Sequence, residues 1–283
     1  MSLAQDYNSR IAAASAGHLL NVRLREAAQS IPVVLAAAAV FIVPFALFYR
    51  LILYHFYVRG GFLLDAGMLA SLMWHQTLTL PLPPMVGEVS FFSHHVVPLM
   101  LPLSWASTLT PLTMTQWFAC FTGMSQGLLA LPVFWLLVSG HGMRRGADLA
   151  IAASVSFAFA FNGLALAIAR YPHFETFGAA CLLLSFAALA MDRCRIAAIA
   201  FGFALATRED IGLHAFGFLS VWICLNWLSG GCRPEIRRLA AFAVAGIAYS
   251  VLALLWQHWM YPTQSSFVRI YLGSPPFSGL SAW

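Results

Sequence analysis

The chain has 283 residues, 61% of them hydrophobic and 9% charged, with a mean hydropathy of +0.80. Soluble domains carry about a quarter charged residues, so this composition excludes an ordinary soluble domain and identifies an integral membrane protein. The net charge of +5 comes from arginine alone, because the sequence contains no lysine; these arginines sit in short inter-helix loops, where they act as topology signals and give no reason to expect a nucleic-acid partner.

In chain order, residues 1–30 form a polar segment with Arg10, Arg23 and Arg25, and an apolar span follows at about 31–54. The length of this span, with no small-residue cleavage site after it, predicts a retained signal anchor. A mixed region rich in Pro, His and aromatics runs over 55–111. Further spans are predicted at about 112–139, 148–169, 175–191, 195–207, 211–229 and 239–260, and a polar tail covers 261–283. The apolar runs are long and uninterrupted, which favours helices over a barrel of short alternating strands. The expected fold is therefore all-α, with about seven transmembrane helices in a polytopic domain over 31–260.

Charge placement orients these spans. With a cytoplasmic N-terminus and an extracytoplasmic loop at 55–111, alternation puts Arg144/Arg145, Arg193/Arg195 and Arg233/Arg237/Arg238 inside. The outside then receives only Arg59, Arg170, Arg208 and Arg269. The segment 95–109 is apolar but short and carries two prolines. If it crossed, every later loop would invert, so it reads as a re-entrant or interfacial helix on the outer face. The five cysteines fall in spans or inner loops, so no disulfide is expected, and a bacterial inner membrane fits best.

This topology sorts the remaining polar chemistry to one face. The outer region 55–111 holds Asp65, His75, Glu88, His94 and His95; the next outer loop holds Arg170, His173 and Glu175; and "ATREDIGL" contributes Arg208, Glu209 and Asp210. Each group has an ordinary reading: Asp65 as a helix N-cap, Glu175 at a helix N-terminal dipole, the histidines as interfacial residues, and Arg208-Glu209-Asp210 as a self-neutralising turn. Their convergence on one face outweighs each of these, because ionisable residues near a membrane core are costly and mark sites. His, Glu and Asp also suit a divalent metal ion, but no HExxH or CxxC spacing exists, so its ligands would have to come from different loops. No GxSxG nucleophile elbow and no glycine-rich phosphate loop is present.

The ordered segments "LLDAGMLASLMW", "SFFSHHVVPLMLPL", "YPHFETFGAACLLL", "ATREDIGLHAFGF" and "FVRIYLGS" resemble bacterial membrane proteins grouped as domain-of-unknown-function family 2079, over roughly residues 40–275. That family resembles the GT-C glycosyltransferases. The resemblance places the family's early acid on Asp65 and its second acid near Ala70 and Ser71, where this chain has none. Its "GDHFSP" falls on Ser93 to Pro98, with His94 in place of the acid and His95 and Pro98 retained. Its "FHPE" falls on Pro172 to Glu175, and its "TKED" on Thr207 to Asp210.

What the resemblance implies is a GT-C-like N-terminal part, shortened at the tail, that transfers a sugar from a polyprenyl-phosphate donor at the extracytoplasmic face. Asp65 is then the candidate catalytic base. Arg208, Arg170 and His95 are candidates for phosphate contact, and Glu209, Asp210, Glu175, His173 and His94 for orienting groups or binding the acceptor. The alternatives are a non-enzymatic, transporter-like membrane protein and an inactive, truncated family member.

Overall fold

Uninterrupted apolar runs of about 20 residues satisfy their backbone hydrogen bonds internally only as helices, and helices are what the chain forms. The computed structural model describes residues 31–59, 69, 71–73, 90–140, 146–169, 174–230 and 233–261. Among the described residues there is no strand. The helices are α1 (Ile31–Val58, its last turn π-helical), α2 (Met100–Thr108), α3 (Met114–Gly140), α4 (Gly146–Ala160), α5 (Gly163–Ala169), α6 (Glu175–Ala190), α7 (Cys194–Leu205), α8 (Ile211–Leu228) and α9 (Arg233–Met260).

Four of them, α1, α3, α8 and α9, are long and apolar enough to cross a membrane. Their outward faces carry large apolar side chains, among them Val34, Leu35, Phe218, Val221, Leu252 and Leu255. Such surfaces suit a lipid bilayer. Trp227 and Trp259 stand exposed near helix ends, where amphipathic rings are favoured at a membrane interface.

The predicted span at 148–169 is not one helix. It breaks after Ala160, and Asn162 starts a second helix by accepting the Ala165 N–H at 2.9 Å and donating to the Phe159 carbonyl at 2.5 Å. An Asn side chain competes in this way with backbone hydrogen bonds, which is why the apolar run alone did not reveal the break. The 95–109 segment contains an extended stretch and the nine-residue α2, roughly 14 Å long at 1.5 Å per residue and too short to cross. Ser104 of α2 anchors it by donating to the Met73 carbonyl at 2.5 Å.

Glycines set the closest helix contacts. A Cβ on Gly123 or Gly127 would meet the carbonyl oxygens of Phe45 and Phe41 at 2.6 and 2.7 Å, so α3 rests directly on α1. This G-x-x-x-G spacing lets backbones approach in a membrane, where packing rather than water expulsion drives association. A Cβ on Gly212 would overlap the Gly246 carbonyl, so α8 and α9 cross backbone to backbone. Antiparallel packing of α3 with α4, α6 with α7, and α8 with α9, with α6 lying parallel to α3 so that Phe121 meets Phe174 and Phe177, brings the start of α6, the end of α7, the start of α8 and the end of α9 to one end of the bundle. The α6–α7 and α8–α9 turns, with Arg193, Arg195, Arg233, Arg237 and Arg238, lie at the other end, where Arg238 pairs with Asp192 at 2.5 Å.

Candidate functional site

The turn between α7 and α8 carries Thr207, Arg208, Glu209 and Asp210. Thr207 is buried and donates to the Ala204 carbonyl at 2.6 Å, closing the end of α7. Gly178 of α6 leaves room for it, since a Cβ there would overlap the Thr207 hydroxyl. The three charged residues then point in different directions.

Glu209 goes inward, and its side chain is only 2% exposed. It does not remain unpaired: Oε1 lies 3.0 Å from His95 Nδ1, and Oε2 accepts the Val96 backbone N–H at 2.9 Å. A hydrogen bond from the Leu99 N–H to the Ala206 carbonyl, 2.9 Å, ties the same segment to the same turn. Burial pushes the Glu209 carboxyl up, but the hydrogen bond and charge of His95, together with the backbone N–H groups of Glu209 and Val96, pull it further down, so the net shift is downward. The carboxylate is the resident form.

Arg208 goes sideways. Its Nη1 donates to Glu175 Oε1 at 2.9 Å, and its Nε lies 3.1 Å from Asp210 Oδ1 and 4.0 Å from Glu209 Oε1. Glu175 opens α6, where an acid also meets the helix dipole favourably. His214, one turn into α8, approaches Asp210 at 3.9 Å. The His94 ring meets the His95 ring edge-on at 5.2 Å. From α9, Gln257 donates to the carbonyls of Phe92 and Ser93 at 3.0 and 3.3 Å, holding the turn before His95, and the buried Tyr249 hydroxyl lies within the field of Glu209.

Of the residues singled out in the sequence, His94, His95, Glu175, Arg208, Glu209 and Asp210 therefore meet at one end of the bundle. Asp65, Arg170 and His173 lie outside the described residues. Asn162, His214, Tyr249 and Gln257 were not singled out. His214 stands four residues after Asp210, a same-face helical spacing that signals it, and Gln257 is a polar residue at the end of a span.

An apolar crevice leads to this turn. A cavity of about 610 Å³ lies between α3, α4, α6 and α8, lined by residues such as Leu136, Phe186 and Trp222. A second, of about 410 Å³, is bordered by Asn162, Glu175, Arg208, Asp210 and His214. Leu129, Phe159, Ala179 and Leu182 line both, so the two adjoin along a shared wall. Along α6 the apolar part runs from Ala179 to Ala190, roughly 16 Å of helix.

Among the described residues no group of three or more His, Cys, Asp or Glu is placed to hold a metal ion. Both Glu209 oxygens already accept from protein donors, and Arg208 bridges Glu175 and Asp210. The described cluster is a web of internal ion pairs and not a ready metal cage.

No family model, curated protein or solved structure matches the chain.

Proposed function

We propose that this is a multi-pass inner-membrane protein with about seven spans and a cytoplasmic N-terminus. It holds a polyprenyl-phosphate-linked sugar at its extracytoplasmic face and transfers the sugar as a GT-C-like glycosyltransferase. One observation carries this reading: the crevice is apolar along the helices and ends on Arg208, Glu175 and Asp210. An amphiphile with a long chain and a polar, phosphate-linked head has that profile. The chain lies among α3, α6 and α8, and the head meets charged groups at one membrane surface.

Electrostatics adds a constraint. In the described part of the site three carboxylates surround one guanidinium, and a bare phosphate meets that set poorly. The sequence places Arg170 and His173 immediately before Glu175, so they are the natural further cations for a departing phosphate. Glu175 and Asp210 suit hydroxyl groups of the sugar or of the acceptor. The domain-of-unknown-function 2079 resemblance supports the same reading, and Asp65 keeps its place in it as a candidate base.

The test uses the full chain in nanodiscs of phosphatidylethanolamine and phosphatidylglycerol. It is supplied with undecaprenyl-phosphate glucose, mannose or arabinose and with extracted cell-envelope acceptors. Release of undecaprenyl phosphate, read by mass spectrometry, is expected for at least one donor. Ala179→Trp and Ala187→Trp fill the crevice and are expected to lower retained undecaprenyl phosphate about tenfold or more, the loss of roughly 1.4 kcal/mol. No release with any donor, together with equal lipid retention by wild type and both variants, would remove the reading.

A further inference from the structure

We propose that His95 is the proton acceptor of this site and that Glu209 positions it. The inference rests on the glycosyl-transfer reading and deepens it, by assigning proton transfer to a pair built from two segments 114 residues apart.

The geometry has three parts. Glu209 lies at the imidazole's Nδ1 at 3.0 Å with a side chain 2% exposed, while His95 keeps 22% of its own side-chain surface. The buried partner is the carboxylate and the reachable partner is the ring. The second carboxylate oxygen is fixed by the Val96 N–H at 2.9 Å, the residue next to His95, so carboxylate and imidazole are locked in one relative orientation. Finally, Gln257 and the Leu99–Ala206 hydrogen bond hold the His95 segment from both sides. A carboxylate that accepts from Nδ1–H leaves Nε2 as the basic nitrogen and stabilises the imidazolium once formed. The charged or titratable groups facing the pair are His94 on its own segment, Arg208, 4.0 Å from the same carboxylate, and Tyr249 on α9.

In the transfer step the acceptor hydroxyl gives its proton to His95 Nε2 as its oxygen bonds to the anomeric carbon. The bond from that carbon to the phosphate oxygen breaks, and polyprenyl phosphate leaves with the electron pair. Glu209 remains a carboxylate throughout. His95 then returns the proton to the released phosphate or to water.

A loop strut would also need Glu209, so the test reads the ring as well as the rate. In nanodiscs with ¹⁵N-labelled histidine, His95 is expected to be held as the Nδ1–H tautomer in wild type and to lose that preference in Glu209→Leu, which removes the acceptor at Nδ1. His95→Asn keeps an N–H donor toward Glu209 and is expected to fold. Turnover of the best donor should fall about 10²-fold or more in it with little change in KM. Imidazole is expected to restore part of the rate to His95→Gly, and Glu209→Asp to retain more rate than Glu209→Gln. An unchanged His95 tautomer in Glu209→Leu overturns the pair. Full turnover in His95→Asn, with Asp65→Asn inactive, gives the proton to Asp65 instead. A wild type silent with every donor removes the transfer reading and the proton's destination with it, while the tautomer still decides the pairing.

Discussion

Glu209 is the residue whose environment differs most from what its neighbours suggest. Arg208-Glu209-Asp210 reads in sequence as a self-neutralising triplet, yet only Glu209 is enclosed, and its partners come from the His95 segment. The cost of charges in an apolar run was legible, and so was the need for partners. Which of the three turns inward was not, because that depends on a backbone N–H 113 residues earlier. Removing the carboxylate in Glu209→Ala leaves two donors in a buried site without an acceptor. The expected loss is about 2–4 kcal/mol, read as a lower thermal midpoint in detergent. The contribution also has a pH signature. Because folding holds the Glu209 carboxyl below its ordinary range, its stabilisation is complete above that range and is lost as pH falls through the lowered value. A plot of unfolding midpoint against pH should therefore slope downward on acidification in wild type and be flatter there in Glu209→Ala.

At the scale of elements, the long helices were legible from apolar length alone, with edges within a few residues for α3, α6, α7 and α8. What composition could not supply was contact. The Gly123–Gly127 spacing encodes the seat for α1, and Gly212 against Gly246 fixes the α8–α9 crossing that starts beside the charged turn. Gly212→Val drives a branched side chain into a backbone carbonyl, for which overpacking costs about 1–3 kcal/mol. Gly217→Val, one and a half turns along the same helix, meets open space. The pair makes a controlled experiment: a clear drop in thermal midpoint for the first and little for the second. Equal effects would mean that the crossing is not where α8 and α9 touch. The break at Asn162 follows similar logic, since one side chain that bonds its own backbone outweighs the apolar run around it.

For the whole molecule, the division of charge between the two ends is the main organising feature. The site end carries the ion-paired cluster and the opposite end the arginine-bearing turns, and this division was legible from loop-by-loop counting. Reporter fusions at positions 142, 172 and 232 are expected to report inside, outside and inside. A cytoplasmic 172 would place the crevice mouth on the wrong face for an extracytoplasmic donor. The stitching of the His95 segment to the α7–α8 turn also bears on how the protein is made. The receiving turn is synthesised more than 110 residues after the segment it captures, on the order of ten seconds later at ordinary elongation rates. During that interval Val96 and Leu99 lack their final acceptors, and a chain stalled before Glu209 presents an undocked segment to proteases and chaperones. Docking at this turn is a late event in biogenesis, and protection of the His95 segment from added protease marks its completion.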